Sequence, residues 1–258
     1  MLNHRLNTVL FLILSVIFFL LREPYELKWW VLGLIFLVWF CLAVIGSFSI
    51  QWNYHLEALN RAKNPVGNQI ALTFDDGPTL FTQQVLDLLK QYEQKATFFC
   101  IGKQVEKFPD IVRRIIDEGH TIGNHTYSHS KNTGWLGVQE MTAEIHHADR
   151  VIQKVIHKKP VFYRPPFGVT NPSIKKAVKQ TGHQTIGWSI RSLDTVIEDK
   201  SRILSRILNR LAPGKVVLLH DTSSKSVDVV AKLLKEMKKN SYASVSIDTL
   251  FKIEAYEV

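Results

Sequence analysis

The chain has 258 residues, enough for one large domain or a domain with an appendage, and a formal charge of +9 at neutral pH. That charge suits contact with anionic lipid or acidic material, and nucleic acid is the other standard partner of a basic chain. No basic helix, zinc-finger spacing or aromatic RNA-binding motif supports nucleic acid, and the two cysteines, Cys41 and Cys100, suggest neither a disulfide framework nor a cysteine metal site.

The first fifty residues differ from the rest. Residues 6–21 are almost unbroken apolar sequence, and residues 29–50 form a second such run. The second is long enough to cross a bilayer; the first, at about 24 Å, is short for a full crossing. A secretory signal peptide would be followed by a small-residue cleavage site, but the chain continues Arg22-Glu23-Pro24-Tyr25-Glu26. The expectation is a helical hairpin, with a tight loop over residues 22–28, that anchors the protein in a membrane. Two spans place the N-terminus and the downstream domain on one side. The loop carries Arg22 and Lys28 while Arg5, Arg61 and Lys63 flank the other ends, so charge hardly chooses which side. Residues 1–50 hold +1 of the net charge, which leaves +8 on the rest. Residues 51–67 are expected as a linker and 68–258 as a domain.

From about residue 70, short apolar runs alternate with longer amphipathic ones. Strands are predicted at 70–74, 96–101, 121–124, 161–164, 185–190, 216–220 and 243–247. Helices are predicted at 82–92, 104–118, 139–156, 173–181, 201–211 and 227–239, where apolar residues recur at helical spacing, as in Val85, Leu86, Leu88 and Leu89. This alternation argues for a parallel sheet, open or closed into a barrel. Barrel active sites lie where strands end, so functional residues should follow the strands.

They do. The first strand ends in Thr73-Phe74-Asp75-Asp76-Gly77-Pro78. Neighbouring strand residues face opposite ways, so both acids serve one site only if the chain leaves strand geometry there, and Gly77-Pro78 supplies that break. After the third strand comes Asn124-His125-Thr126-Tyr127-Ser128-His129. Two histidines four apart share one face of a helical turn and can present two imidazoles to one metal, with zinc the first choice. His120 begins a strand and is read as structural; His4, His55, His146, His147, His157 and His183 lack such partners. After the fourth strand, Arg164-Pro165-Pro166-Phe167-Gly168 holds a guanidinium on a stiff turn, suited to orienting a carboxylate. The sixth ends Leu218-Leu219-His220-Asp221, placing an imidazole that exchanges protons near neutral pH.

TFDDGP, NHTYSH, RPPFG, a stretch from Trp188 to Asp194, and LLHD occur in that order. Together they resemble the polysaccharide deacetylases of carbohydrate esterase family four, the NodB-homology domain, over residues 68–250. The resemblance implies a distorted (β/α) barrel of about seven parallel strands, here preceded by two transmembrane helices. It implies Asp76, His125 and His129 as ligands of one divalent metal, zinc with cobalt or nickel as alternatives. Asp75 would be the general base held by Arg164, and His220 the general acid paired with Asp194. Leu218 would line a pocket for the acetyl methyl, the Phe167 N–H would help bind the oxyanion, and Trp188 would line the substrate groove. The fourth motif departs from the family pattern: Ser189 and Arg191 stand where many members have acids, and Thr195 where many have tryptophan. Arg191 is expected to favour an anionic substrate, because a guanidinium matches carboxylate and phosphate.

The expected function is removal of N-acetyl groups from amino sugars of a glycan, whether peptidoglycan, exopolysaccharide or chitooligosaccharide. The alternatives are deacetylation or deformylation of a lipid-linked sugar, and a glycan-binding domain without catalysis. The expected partners are the glycan and membrane lipid, with no nucleic acid and no protein partner implied. Because substrates of the family lie mostly outside the cytoplasm, the catalytic domain is expected there.

Overall fold

A computed structural model describes residues 3–257. Strand β1 (Gln69–Asp75) is buried along almost its whole length, as an unbroken apolar run in a parallel sheet requires. It lies between β2 (Ala96–Cys100) and β8 (Val216–His220), and the sheet continues outward on both sides. Beyond β2 come β3 (Thr121–Asn124), β5 (Phe162–Tyr163) and β6 (Gln184–Thr185); beyond β8 comes β7 (Ile190–Arg191). These seven strands are parallel and curl into a half-barrel, with β9 (Ala243–Ser244) pairing the start of β1. Register brings Asp75 opposite Phe99 on one side and His220 on the other.

Alternation along β1 divides the core. Ile70, Leu72 and Phe74 face outward, packing with Leu86, Phe98, Ile122 and Leu233 beneath the surrounding helices. Ala71 faces inward with Phe99, Phe162, Tyr163, Ile186 and Leu218. The outer layer comprises α3 (Leu80–Gln91), α4 (Gly102–Lys107), α5 (Pro109–Asp117), α6 (Val138–Ile156), α7 (Pro172–Thr181), α8 (Lys200–Leu208) and α9 (Ser224–Lys239). The helix predicted over 104–118 is thus two. Phe108 has φ −129° and ψ 54°, and Pro109 opens a new helix at its first position.

The strand predicted over 185–190 is also two, β6 and β7, separated by Ile186–Ser189. Carbonyl oxygens that would bond a neighbouring strand are taken instead by Arg164: its Nε donates to Ile186 O at 3.1 Å and its Nη2 to Gly187 O at 2.8 Å. The barrel opens at this break. The stretch predicted as a seventh strand over 243–247 is β9 followed by α10 (Ile247–Phe251), and the antiparallel pair of β4 (Lys159–Pro160) with β10 (Tyr256–Glu257) had no counterpart in the sequence reading.

The stretch expected as a linker is packed. Tyr54, Leu56, Ala58 and Ala62 are buried, and Leu59 bridges the break in the sheet, donating its N–H to Thr185 O and accepting from Gly187 N–H. Ahead of it, α1 (His4–Arg22) and α2 (Trp29–Phe48) form the expected hairpin; both are long and apolar enough to cross a membrane, and most of their apolar side chains are exposed. The hairpin is fastened to the domain. Thr170 N–H donates to Ser47 O at 2.8 Å, and Asn7 Nδ2 donates to Tyr54 Oη at 2.6 Å. Tyr54 also lies so close to Gly46 that a β-carbon there would sit 2.3 Å from its ring.

Candidate active site

Asp75 continues the inward alternation of β1, beside Thr73. Asp76 then leaves strand geometry with φ +71°, which aspartate tolerates better than most residues. This kink lets two adjacent carboxylates address one site. At Gly77 a β-carbon would lie 2.6 Å from an oxygen of Asp221. Asp221, from the end of β8, braces this loop: its carboxylate accepts from Thr82 Oγ1 at 2.5 Å and its carbonyl from Thr79 Oγ1 at 2.5 Å. Burial pushes its pKa up to about 7.

His125 follows β3, but the expected helical turn is absent. Residues 125–130 form a loop, with φ +65° at Thr126 and +47° at His129. Side chains supply the hydrogen bonds a helix would have made. Asn124 Oδ1 accepts from Thr126 N–H at 2.8 Å, Thr126 Oγ1 from His129 N–H at 3.2 Å, and Glu144 from both Ser128 N–H and Oγ–H at 2.8 Å. The imidazoles still converge. His125 Nε2 lies 3.3 Å and His129 Nε2 3.2 Å from Asp76 Oδ1, an oxygen that is buried and makes no well-formed hydrogen bond.

These three residues form a group whose ligand atoms all lie within 4.8 Å of one another. The fit to a divalent cation rests on that orphaned oxygen and on tautomer. A carbonyl only accepts, so His125 Nδ1–H donates to Arg164 O at 2.8 Å and Nε2 is the nitrogen aimed at Asp76. Burial would raise the Asp76 pKa, but His125 beside it and the charges of His129 and His220 hold it well below the carboxylate range. Burial and the neighbouring His125 lower His129 to about 4, so its imidazole is neutral and ligand-competent at pH 7. His125 is opposed by burial, yet Asp75 and Asp76 raise it overall, so a proton competes with a metal for that nitrogen.

Arg164 is fully buried, with Nη1 donating to Asp75 Oδ1 at 2.7 Å and to Thr73 Oγ1 at 2.8 Å. Phe99 lies under the guanidinium at 4.0 Å. One residue therefore orients Asp75 with its side chain and His125 with its carbonyl. Opposite stands His220. Its Nδ1–H donates to Asp194 Oδ1 at 2.8 Å while its own N–H donates to Asp194 Oδ2 at 2.8 Å, which turns Nε2 to within 3.9 Å of Asp76. Burial works against a charged imidazole there. The Asp194 hydrogen bond and charge, with Asp75 and Asp76, prevail and raise His220 to about 9.

The candidate residues line one cleft of about 240 Å³: Asp75, Asp76, His125, His129 and His220 at its floor, with Phe167, Trp188, Arg191 and Leu218 around them. Phe167 has φ +59° and puts its ring 4.7 Å from that of His129. Gly168 backs onto Trp188, where a β-carbon would lie 2.3 Å from the indole. Leu218 is buried, whereas Arg191 is exposed at the rim, 5.9 Å from the Trp188 ring. Arg164 and Asp194 stand behind this lining. Sequence reasoning missed the supports. Thr73 was legible as the inward neighbour of Asp75, but Ser192, which donates to Asp194 Oδ1 at 2.8 Å, Glu144 and Asp221 carried no local signal of their roles.

The family model for polysaccharide deacetylase matches residues 62–186. A peptidoglycan-N-acetylglucosamine deacetylase of Bacillus cereus is 37% identical over 189 residues, covering 71% of this chain and 88% of the relative. Peptidoglycan-N-acetylmuramic acid deacetylase PdaC of Bacillus subtilis is 32% identical over 192 residues, 74% of this chain but only 40% of that longer protein. The crystal structure of the Bc1960 peptidoglycan N-acetylglucosamine deacetylase superposes with a TM-score of 0.73 at 33% identity, covering 82% of this chain and all of that one. Sequence, sheet order and curl agree, and the chain belongs to the polysaccharide deacetylase family, the NodB-homology domains of carbohydrate esterase family four.

Proposed function

We propose that the protein is a membrane-anchored N-deacetylase that hydrolyses the acetamido group of amino sugars in a peptidoglycan-type glycan, with one divalent cation, zinc first, held by Asp76, His125 and His129. The observation that carries this reading is the buried, unbonded Asp76 oxygen facing two imidazole nitrogens, set between the Asp75–Arg164 and His220–Asp194 pairs. The net reaction converts an amide and water into acetate and an amine. When bound, the cation polarises the amide carbonyl and makes water more acidic.

The chain's own groups do the proton work. Asp75 takes a proton from the attacking water, and Arg164 fixes the angle of its carboxylate. The oxyanion developing on the carbonyl is met by the Phe167 N–H, on a turn whose next two N–H groups are already bonded to Pro165 and Pro166. His220 Nε2 protonates the departing amine, a poor leaving group without it. Asp194 keeps that imidazole charged and fixes which nitrogen faces the substrate. Leu218 and Trp188 give the acetyl methyl an apolar wall. A binding domain without catalysis would not need both pairs intact, so their presence favours the enzyme. The kinship with peptidoglycan deacetylases supports placing the catalytic domain outside the cytoplasm.

The test is acetate release from peptidoglycan fragments and chitooligosaccharides by full-length protein, with chelator and metal-restored controls. Turnover that chelation abolishes and zinc restores supports the reading. His125→Ala should remove both bound metal, by elemental analysis, and activity. Metal-replete wild-type protein inactive on every acetylated glycan would leave the binding-domain alternative.

A further inference from the structure

Where α2 ends, the chain turns through Ile50–Trp52 directly against the active-site rim. A cleft of about 400 Å³ opens there, lined by Phe48, Trp52, Trp188, Arg191, Arg206 and Arg210. Arg206, on α8, donates its Nε to Arg191 O at 2.8 Å, which fixes its guanidinium beside β7. Among the described residues, none of these three arginines forms an ion pair, although Arg113, Arg114 and Arg164 all do. Burial, then the like charges of Arg210, Arg191 and Arg202, pull the Arg206 pKa down. Three guanidiniums gathered without an anion are mutually repulsive, and an anion between them relieves that repulsion.

Two further observations say which anion. Trp188 and Arg191 line both this cleft and the catalytic cleft, so the two are immediate neighbours with a shared wall. The wall is also the exit of an apolar helix. If α2 spans a bilayer, Phe48 and Trp52 mark its surface, where lipid phosphates lie and indoles concentrate. On the other flank of α2, Val44 and Phe48 face Trp135, Phe167 and Val169 across an apolar cleft of about 610 Å³, which reaches the active-site mouth through Phe167. Trp135 is 90% exposed there. A basic cleft and an apolar one thus both adjoin the active site, and Phe48 at the helix end lines both.

We propose that the site takes its N-acetylated amino sugar while that sugar is still joined through a phosphate to a membrane lipid, before it is part of a finished glycan. The sugar enters the Asp75–His220 site, the phosphate sits on Arg191, Arg206 and Arg210, and the hydrocarbon leaves the basic cleft past Phe48 and Trp52 at the end of α2. Arginine suits this role because its planar fork meets phosphate oxygens in pairs. The inference rests on the deacetylase reading for its chemistry: only the amide is cleaved, and the phosphate ester is a handle.

The test uses full-length, zinc-loaded protein in detergent micelles and three probes. These are N-acetylglucosaminyl phosphate esterified to a short isoprenyl alcohol, N-acetylglucosamine 1-phosphate, and the neutral isoprenyl glycoside of the same sugar. Calorimetric titration should show the phosphate ester binding at least tenfold tighter than either of the others. Arg206→Gln/Arg210→Gln should abolish its advantage over the glycoside while Tm and turnover of a neutral chitooligosaccharide stay unchanged. Equal binding of ester and glycoside, or a double variant that keeps the difference, overturns the inference. So does equal binding of ester and free sugar phosphate, which would make the cleft a site for soluble phosphates. Ester binding as expected, with no acetate released from any probe, would strike at the deacetylase reading instead.

Discussion

Arg164 divides its donors between one carboxylate, one hydroxyl and two carbonyls, so its loss should be felt in both stability and turnover. Arg164→Met leaves Asp75 buried without its cation, and breaking a buried pair in this way costs about 3–5 kcal/mol. Urea denaturation should show that loss. Arg164→Lys keeps the charge but cannot span Asp75, Ile186 and Gly187 together, so kcat should fall at least tenfold with a smaller loss of stability; kcat within twofold of wild type would remove the orienting role. The acid is tested by pH. If His220 is the acid it acts protonated; its imidazole is held at about 9, so activity should persist through neutrality and decline as pH rises through that value. Asp194→Asn removes the charge that raises it, and the alkaline limb should move to lower pH. An unmoved limb in a pH–rate profile would take Asp194 out of this role. At this scale the sequence displays the reacting groups and their two direct partners, Arg164 and Asp194, but not the residues that support those in turn. A motif fixes spacing along one strand end, whereas Ser192, Glu144 and Asp221 act across elements brought together only by the fold.

The break between β6 and β7 departs from the single strand expected over 185–190, and the departure has a physical cause. Residues 185–190 have the apolar character of one strand, but strand pairing needs free carbonyls, and Arg164 holds two of them. The segment through Leu59 then fills the gap that the break leaves. Nothing in residues 51–67 has the pattern of a strand, so their composition suggests only a linker. Likewise the apolar spacing of 104–118 runs through Pro109 without interruption; only the backbone preference of the residue before proline marks the division into α4 and α5. Apolar periodicity therefore located every long element, and these two departures arose where a side chain took backbone carbonyls or a proline reset the backbone. The closure can be tested at Gly187, where a β-carbon would lie 1.9 Å from Asn60 Oδ1. Gly187→Ala should cost about 1–3 kcal/mol, the usual range for overpacking, read as a lower midpoint in urea. Adding Asn60→Ala should recover part of it, because the two sites share the contact. Strict additivity of the two changes would mean that the segment does not close the sheet.

In the whole molecule, hairpin and barrel are joined at the loop end of the strands, and this decides what topology means for function. Thr170 holds Ser47, Tyr54 packs on Gly46, and the catalytic cleft shares Phe167 with the groove beside α2. A barrel tethered by a loose linker could work at any distance from a bilayer; this one keeps its mouth beside the end of α2, which is the bilayer surface if α2 spans. The side of the membrane then determines the substrate pool. Charge gives little guidance, since Arg22 and Lys28 at the loop are balanced by Arg5, Arg61 and Lys63 at the other end. Kinship with peptidoglycan deacetylases favours the outside, with the 22–28 loop in the cytoplasm. A reporter that is active only outside the cytoplasm, fused after the last residue, should therefore be active, and one that requires the cytoplasm should be silent at the same place. The reverse pattern would put the mouth on the inner surface, where finished cell-wall glycan is absent. It would then exclude mature peptidoglycan as the substrate and leave amino sugars still carried on lipid within reach of the Asp75–His220 site.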